Sequence, residues 1–319
     1  MATVKAARNK TIDTTLEDGQ RFLNRCLTLN GPAQLAHIIN RTIRGDMLDI
    51  CPLLPPESMD LIIADPPYNL NKSFQSTTFS QMTDADYEVY TRRWLRAVQP
   101  LLKSTGSIYV CCDWFSSLTI GRVLGDFFRV RNRITWQREK GRGASSNWKN
   151  SMEDIWFATN SKRYTFNVDA VKLRRKVIAP YRVNGKPKDW NETGEGNFRD
   201  TFPSNFWDDI TIPFWSMAEN TDHPTQKPEK LVAKLLLASS NPGDLVFDPF
   251  LGSGTTSVVA KKLGRNYVGV EAEPQYCLWA EQRLELAETA PEIQGYFDGV
   301  FWERNQCPFR KINSKTNCK

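Results

Sequence analysis

Six short apolar runs, each stopping at a loop signal, alternate along the chain with amphipathic stretches, and this alternation limits the fold more than any other feature. The runs lie at 59–65, 107–112, 133–136, 154–158, 244–248 and 267–271. Helical periodicity occupies 85–98, 115–127, 228–239, 256–263 and 274–288. Parallel strands need a crossover to join them, and a helix is the usual one, so the order implies βαβ units and a mostly parallel sheet covered on both faces. The expected fold class is α/β, a doubly wound sheet. The rhythm breaks between about 170 and 222, where Gly185, Pro187, Gly194, Gly196, Pro203 and Pro213 punctuate a stretch with little periodicity, and this interval is expected to be an insertion. A chain of 319 residues has room for one large α/β domain with such an insertion.

Several classes of function are excluded early. The apolar stretches at 61–64 and 235–238 fall far short of the roughly 18 residues that span a bilayer. The basic N-terminus has no apolar segment behind it, so a secretory signal is not expected and the cytoplasm is. Seven cysteines, odd in number and without a C-x-x-C pair, are expected to be reduced thiols. With His37 and His223 as the only histidines, neither a zinc site nor a Ser-His-Asp triad is favoured, and no metal is expected.

The formal charge of +6 is mild, but basic residues concentrate. Positions 172–188 hold Lys172, Arg174, Arg175, Lys176, Arg182, Lys186 and Lys188 and no acid. A second basic loop at 138–149 contains Lys140, Arg142 and Trp148. A charge run is ordinarily a solvated face; seven of one sign with Tyr181 and Trp190 nearby shift the expectation toward contact with a phosphate backbone.

Two loops carry the chemistry. Asp65-Pro66-Pro67-Tyr68 directly follows the run at 61–63, the edge of a parallel sheet where ligands of open α/β folds sit. Two prolines fix the backbone and remove two amide donors, leaving carbonyls as acceptors beside a carboxylate and an aromatic ring. Such a loop suits a planar ring bearing an amine, although an ordinary Asp-Pro turn with a packed tyrosine accounts equally for the motif taken alone. The second loop, Asp248-Pro249-Phe250-Leu251-Gly252-Ser253-Gly254-Thr255, again lies between a strand and a helix, and Glu271 ends the next strand. Glycines allow close backbone approach, a helix N-terminus offers free amides, and an acid at the next strand tip is the arrangement that holds ribose hydroxyls. A nicotinamide fingerprint would want glycine at 257, where Ser257 stands, and a P-loop would want Gly-Lys-Ser/Thr, which is missing.

These residues resemble the amino-group DNA methyltransferases that use S-adenosylmethionine. Asp65-Pro66-Pro67-Tyr68 is similar to their catalytic motif and the 248–255 loop to their methionine-binding loop. The catalytic loop comes first and the basic stretch lies between the two, as in the β class. The resemblance implies a Rossmann-like methyltransferase fold, with catalytic residues Asp65, Pro66, Pro67 and Tyr68. It implies a cofactor site of Asp46, Lys227, Asp248, Pro249, Phe250, Gly252, Ser253, Gly254, Thr255 and Glu271, with Lys227 entering through His223-Pro224-Thr225-Gln226-Lys227-Pro228. A turn or helix-cap residue is the lesser alternative for Asp46. Lys140, Arg142, Lys172, Arg174, Arg175, Lys176, Arg182, Lys186 and Lys188 are the expected DNA contacts. The implied organisation is an N-terminal extension (1–40), a catalytic half (41–169), a target-recognition insertion (170–222), a cofactor-binding half (223–288) and a C-terminal tail (289–319).

The expected reaction is transfer of a methyl group from S-adenosylmethionine to the N6 amine of adenine in duplex DNA, by base flipping. Either a cognate restriction endonuclease acts on the same site or the enzyme is a solitary relative, monomer and homodimer stay open, and association with the nucleoid would follow from DNA binding. Cytosine C5 chemistry would need a cysteine nucleophile in a Pro-Cys dipeptide, which this chain lacks. The rivals are an N4-cytosine methyltransferase, whose members usually carry Ser at position 65, and a non-catalytic DNA-binding relative.

Overall fold

The computed structural model describes residues 6–74, 77–138, 145–178, 181–193 and 196–306. Its centre is an eight-stranded sheet of β1 (Arg41–Arg44), β2 (Met59–Ala64), β3 (Leu102–Asp113), β4 (Arg129–Gln137), β5 (Met152–Thr159), β6 (Phe206–Trp207), β7 (Leu245–Asp248) and β8 (Asn266–Glu271). The spatial order is β1-β8-β7-β2-β3-β5-β4-β6. Neighbours pair in parallel except at β5, which runs antiparallel to both β3 and β4. From β2 the chain proceeds to β3 on one side, and from β7 to β8 on the other. The switch point of the topology therefore lies between β2 and β7, where a crevice opens at the carboxyl ends of the strands.

Side chains of successive strand residues point to opposite faces, and the two cores follow from that. Leu61, Ile63, Tyr109, Cys111 and Val246 join α3 (Glu229–Ser239) and α4 (Thr255–Lys262) on one face. Ile62, Ala64, Ile108, Val110 and Phe247 join α1 (Asp84–Val98) and α2 (Ser116–Phe127) on the other. A third, smaller cluster sets Ile12 and Phe22 of the N-terminal stretch against Tyr276, Leu278 and Trp279 of α5 (Pro274–Thr289). Arg21 and Arg25 there are tied to Glu285.

The six apolar runs and five helical stretches are all present, with β3 and β4 longer than their apolar centres. The two edge strands of this sheet went unanticipated. β1 is four residues flanked by arginines, and β6 is only two residues long, so neither produces a recognisable period. The stretch expected to be an insertion contributes to a second sheet, in the order Asn191–Thr193, Gly196–Thr201, Leu173–Lys176, Val300–Trp302, Tyr296–Phe297. Strands from both sides of α3 in sequence thus share one sheet, with Trp302 edge-on to Phe198 at 5.2 Å.

This second sheet explains why α3 is buried on every side although it reads as amphipathic. Lys230 and Lys234, on its outer face, lie under the second sheet and converge on Asp209, at 2.6 and 2.7 Å. Phe301, fully buried, enters the same core as Leu231 and Leu235. Phe301→Ala is therefore expected to lower the unfolding free energy by about 3–5 kcal/mol, measured by urea denaturation, because a cavity replaces a large buried ring.

Candidate active site between β2 and β7

Asp65 follows the last residue of β2, and the loop after it is pinned by its neighbours rather than by its prolines alone. Buried Asn69 donates from Nδ2 to the Met82 carbonyl at 3.0 Å and accepts from the Met82 amide at 2.7 Å. Its own amide donates to Ser116 Oγ at 3.0 Å. Tyr87 of α1 donates its hydroxyl to the Pro67 carbonyl at 3.1 Å, which leaves the Pro66 carbonyl as the loop acceptor with no partner among the described residues.

Around Asp65 is a compact set of charges. The Tyr68 hydroxyl donates to Asp65 Oδ1 at 2.8 Å and lies 3.3 Å from Glu153 Oε2. Lys227 Nζ donates to Asp65 Oδ2 at 2.6 Å and to the Tyr68 oxygen at 3.0 Å, and sits 3.4 Å from Glu153 Oε2. Arg138 holds the other oxygen of Glu153. Burial works against a charge on Lys227, but Asp65 and Glu153 outweigh it and keep the ammonium protonated well beyond the usual lysine range. Burial, reinforced by Asp65 and Glu153, also keeps Tyr68 a neutral phenol.

The glycine loop leaves β7 at Asp248, whose carboxylate is consumed by its own loop. Oδ2 accepts from Thr256 Oγ1 at 2.6 Å and Oδ1 from the Phe250 amide at 3.0 Å. Burial pushes this carboxyl up to about 7. Gly254 has φ +84°, and a Cβ there would meet Ala280 Cβ at 2.6 Å and its Cα at 2.8 Å, so α5 packs directly on the loop. Arg283 of α5 braces it, donating to the Ser253 carbonyl at 2.8 Å and to Thr255 Oγ1 at 3.0 Å. Pro249, Ser253 and Thr255 are buried, and half-buried Phe250 stands edge-on to Trp94 at 5.7 Å. Glu271, at the tip of β8, accepts the Gly252 amide at 2.7 Å and the Glu273 amide at 2.8 Å, and burial raises it to about 7. Asp46 caps the short helix Met47–Ile50, accepting from the Leu48 amide at 2.7 Å, beside β8 through the Gly45 amide on the Glu271 carbonyl.

Both loops open on one cavity, whose lining includes Asp65, Cys111, Lys227, Asp248, Gly252 and Ser253. Lys227 joins them: its carbonyl accepts from Thr255 Oγ1 at 3.1 Å while its ammonium holds Asp65. His223 lies against Gly252 and Tyr276, and its ring is kept neutral by burial, down to about 3. Trp136, in β4, is fully buried and donates to the Ile210 carbonyl at 3.2 Å.

The basic run is less naked than its sequence. Arg174 is paired bidentately with Asp200, Arg175 with Glu303, Lys172 with Asp169 and Arg182 with Glu192. The acids come from strands and turns outside 172–188, so their compensation is invisible in the linear run. Lys176, Lys186 and Lys188 stay exposed with no ion pair among the described residues. Lys140 and Arg142 lie outside the described residues.

Glu153, Arg138, Tyr87 and Arg283 are site residues that sequence reasoning missed. Glu153 opens a strand like any polar end residue, and Arg283 reads as solvent-facing on α5 although it is buried. Neither carries a motif signal.

A family model described as DNA methylase matches residues 59–282. The chain is 34% identical over 267 residues to the DNA adenine methyltransferase YhdJ of Escherichia coli, covering 80% of this chain and 86% of that one. It is 34% identical over 261 residues to the type II methyltransferase M.HpaI of Haemophilus parainfluenzae, covering 80% and 75%. Among solved structures, the M1.HpyAVI–SAM complex superposes with a TM-score of 0.53 at 26% identity, over 76% of this chain and 98% of that one. The cytosine-N4-specific PvuII methyltransferase shares the fold at TM-score 0.57 and 18% identity, over 87% and 91%.

Glu271 binds its proton more tightly in the folded chain than at the roughly 4.3 of an unfolded glutamate, so its contribution to stability is complete below about pH 4 and is lost as pH rises through about 7. Glu271→Gln removes that titration. The variant is expected to lose less stability than the wild type between about pH 5 and pH 8, compared by urea denaturation at both values.

Proposed function

The chain belongs to the DNA methylase family, and we propose that in this S-adenosylmethionine-dependent DNA adenine-N6 methyltransferase Asp65 and the Pro66 carbonyl hold the target amine at the cavity between β2 and β7. The observation that carries the assignment is the bridge through Lys227, which ties the Asp65 loop and the glycine loop to one cavity. The exocyclic amine of adenine is a poor nucleophile because its lone pair is delocalised into the ring. Hydrogen bonds from its two N–H groups to Asp65 and to the Pro66 carbonyl favour a tetrahedral nitrogen with a localised lone pair, so positioning supplies much of the catalysis. The Pro67 carbonyl is already engaged by Tyr87, which singles out Pro66. Tyr68 packs against the base after it leaves the helical stack.

The cavity fits the cofactor. Gly252, at φ +54°, lines the cavity without a side chain, and the Asp65 and Asp248 carboxylates in the lining suit a cationic sulfonium. Gly252, Ser253, Gly254 and Thr255 would hold it through the loop backbone, with Pro249 and Phe250 beside them, Glu271 toward the ribose and Asp46 toward the adenine end; Asp248 keeps the loop in shape. When bound, S-adenosylmethionine supplies the methyl group as an electrophile.

Residues 170–222 are proposed to carry target recognition, with Lys176, Lys186 and Lys188 as backbone contacts beside exposed Tyr181. Arg174, Arg175, Lys172 and Arg182 would act there only by exchanging their present acidic partners for phosphates. A restriction endonuclease sharing the site, self-association and a place on the nucleoid belong to the same proposal. No described helix is long and apolar enough to cross a membrane.

Incubation with mixed-sequence duplex DNA and methyl-labelled S-adenosylmethionine, followed by digestion and mass spectrometry of the nucleosides, is expected to yield N6-methyladenine. N4-methylcytosine in its place would reassign the base. Asp65→Ala is expected to lower the single-turnover rate by about 10²–10³-fold while DNA affinity is largely kept. Replacing Lys176, Lys186 and Lys188 by Gln should weaken DNA binding and reduce the slope of log affinity against log salt by about 0.9 for each phosphate no longer neutralised.

A further inference from the structure

The Asp65 carboxylate meets a charge arrangement that hydrogen bonding to an amine does not by itself require. Two carboxylates, Asp65 and Glu153, face two cations, Lys227 and Arg138, in the order Asp65–Lys227–Glu153–Arg138. Each comes from a different part of the fold: the loop after β2, the segment before α3, the start of β5 and the residue after β4. Lys227 and Glu153 are both almost fully buried. Burying ions this deeply is costly unless the pairing does something that apolar packing would not.

Resting on the reading of Asp65 as the amine acceptor, we propose that Lys227 and Glu153 are positioning residues for it, the ammonium fixing the charge and orientation of the Asp65 carboxylate, with Glu153 and Arg138 fixing the ammonium. The geometry divides the work. Lys227 takes Oδ2 at 2.6 Å and Tyr68 takes Oδ1 at 2.8 Å, so the carboxylate cannot rotate, while each oxygen keeps a lone pair for an incoming N–H. Arg138 on one oxygen of Glu153 leaves the other aimed at Lys227, which keeps the ammonium from collapsing wholly onto Asp65. The titratable groups facing this set include Tyr68 from the same loop, Tyr87 from α1, Cys111 and Cys112 from β3, Asp248 at the end of β7 and His223 beside Lys227. Tyr68, Tyr87, Cys111 and Cys112 stay protonated and His223 stays neutral, so of these Asp248 shares the working range.

The test is the pH dependence of the single-turnover rate on duplex DNA, with S-adenosylmethionine affinity measured alongside by calorimetry. Lys227→Met leaves two carboxylates without the cation between them, and the acid limb of the profile should move up by about 1–3 pH units. Glu153→Gln should move it down, Lys227→Met with Glu153→Gln should return it toward the wild type, and Lys227→Arg should retain it. Cofactor affinity should change by less than about threefold in these variants, because the Lys227 ammonium, which the resemblance assigned to the cofactor site, is spent on Asp65, Tyr68 and Glu153. A rate lowered equally at every pH, with the limb unmoved, would reduce Lys227 to packing and overturn the proposal. An unmoved limb with cofactor binding weakened about tenfold or more would make the ammonium a cofactor contact and overturn it too. If Lys227→Met does not fold, Glu153→Gln decides alone, because its expected shift has the opposite sign to a loss of stability at low pH. Failure of the parent reading looks different: wild-type protein would form no N6-methyladenine at all, and both would fall.

Discussion

The parallel pairing of β7 with β2, Val246 against Leu61 and Phe247 against Ile62, is the contact on which the rest of the molecule depends. Both strands are buried on both faces, so their two loops meet a ligand at the edge at which Ala64 and Asp248 end. Pairing in register puts the two loops side by side although most of the chain separates them in sequence. The helices on either face and the N-terminal cluster hold this edge in position. Shifting either strand by a residue would exchange Leu61 and Ile63 with Ile62 across the sheet and withdraw Asp65 from the cavity.

Two of the buried charge clusters contrast in what they do. Lys230 and Lys234 on Asp209 fasten α3 to the second sheet and lie within a core. Lys227, only three residues before Lys230, lies instead at the open edge, where its ammonium is spent on Asp65 and its carbonyl on Thr255. Lys230 and Lys234, one turn apart on the same face of α3, thus share Asp209, while Lys227 on the extended segment before the helix reaches Asp65. The deep pairs stabilise the architecture; the one at the edge shapes the acceptor.

The second sheet shows where linear reading fails. A stretch dense in Gly and Pro, with strands of two to six residues, looks irregular because no strand is long enough to establish a period. Its partners at Val300–Trp302 arrive after α5, and pairing between segments so far apart leaves no local mark. The same distance hides the neutralisation of the basic run, since Asp200 and Glu303 reach Arg174 and Arg175 only once those strands pair. Lys176, Lys186 and Lys188 keep an exposed positive face, and it is this remainder, not the whole run, that a phosphate backbone would meet first.

Sequence alone determined the α/β alternation, the strand that precedes each loop, the identity of the Asp65 and Gly252–Thr255 loops and the resemblance that joins them. Those features are local: a period of apolar residues, a proline pair, a glycine that must take positive φ, each written in adjacent positions. Tertiary structure alone decided that Pro67 is occupied and Pro66 is not, that Asp248 serves its own loop, that Arg283 supports the glycine loop and that Lys227, Glu153 and Arg138 surround Asp65. A hydrogen bond or an ion pair needs two groups within a few ångströms, and that distance is set by how distant strands pack, not by how the residues are ordered along the chain.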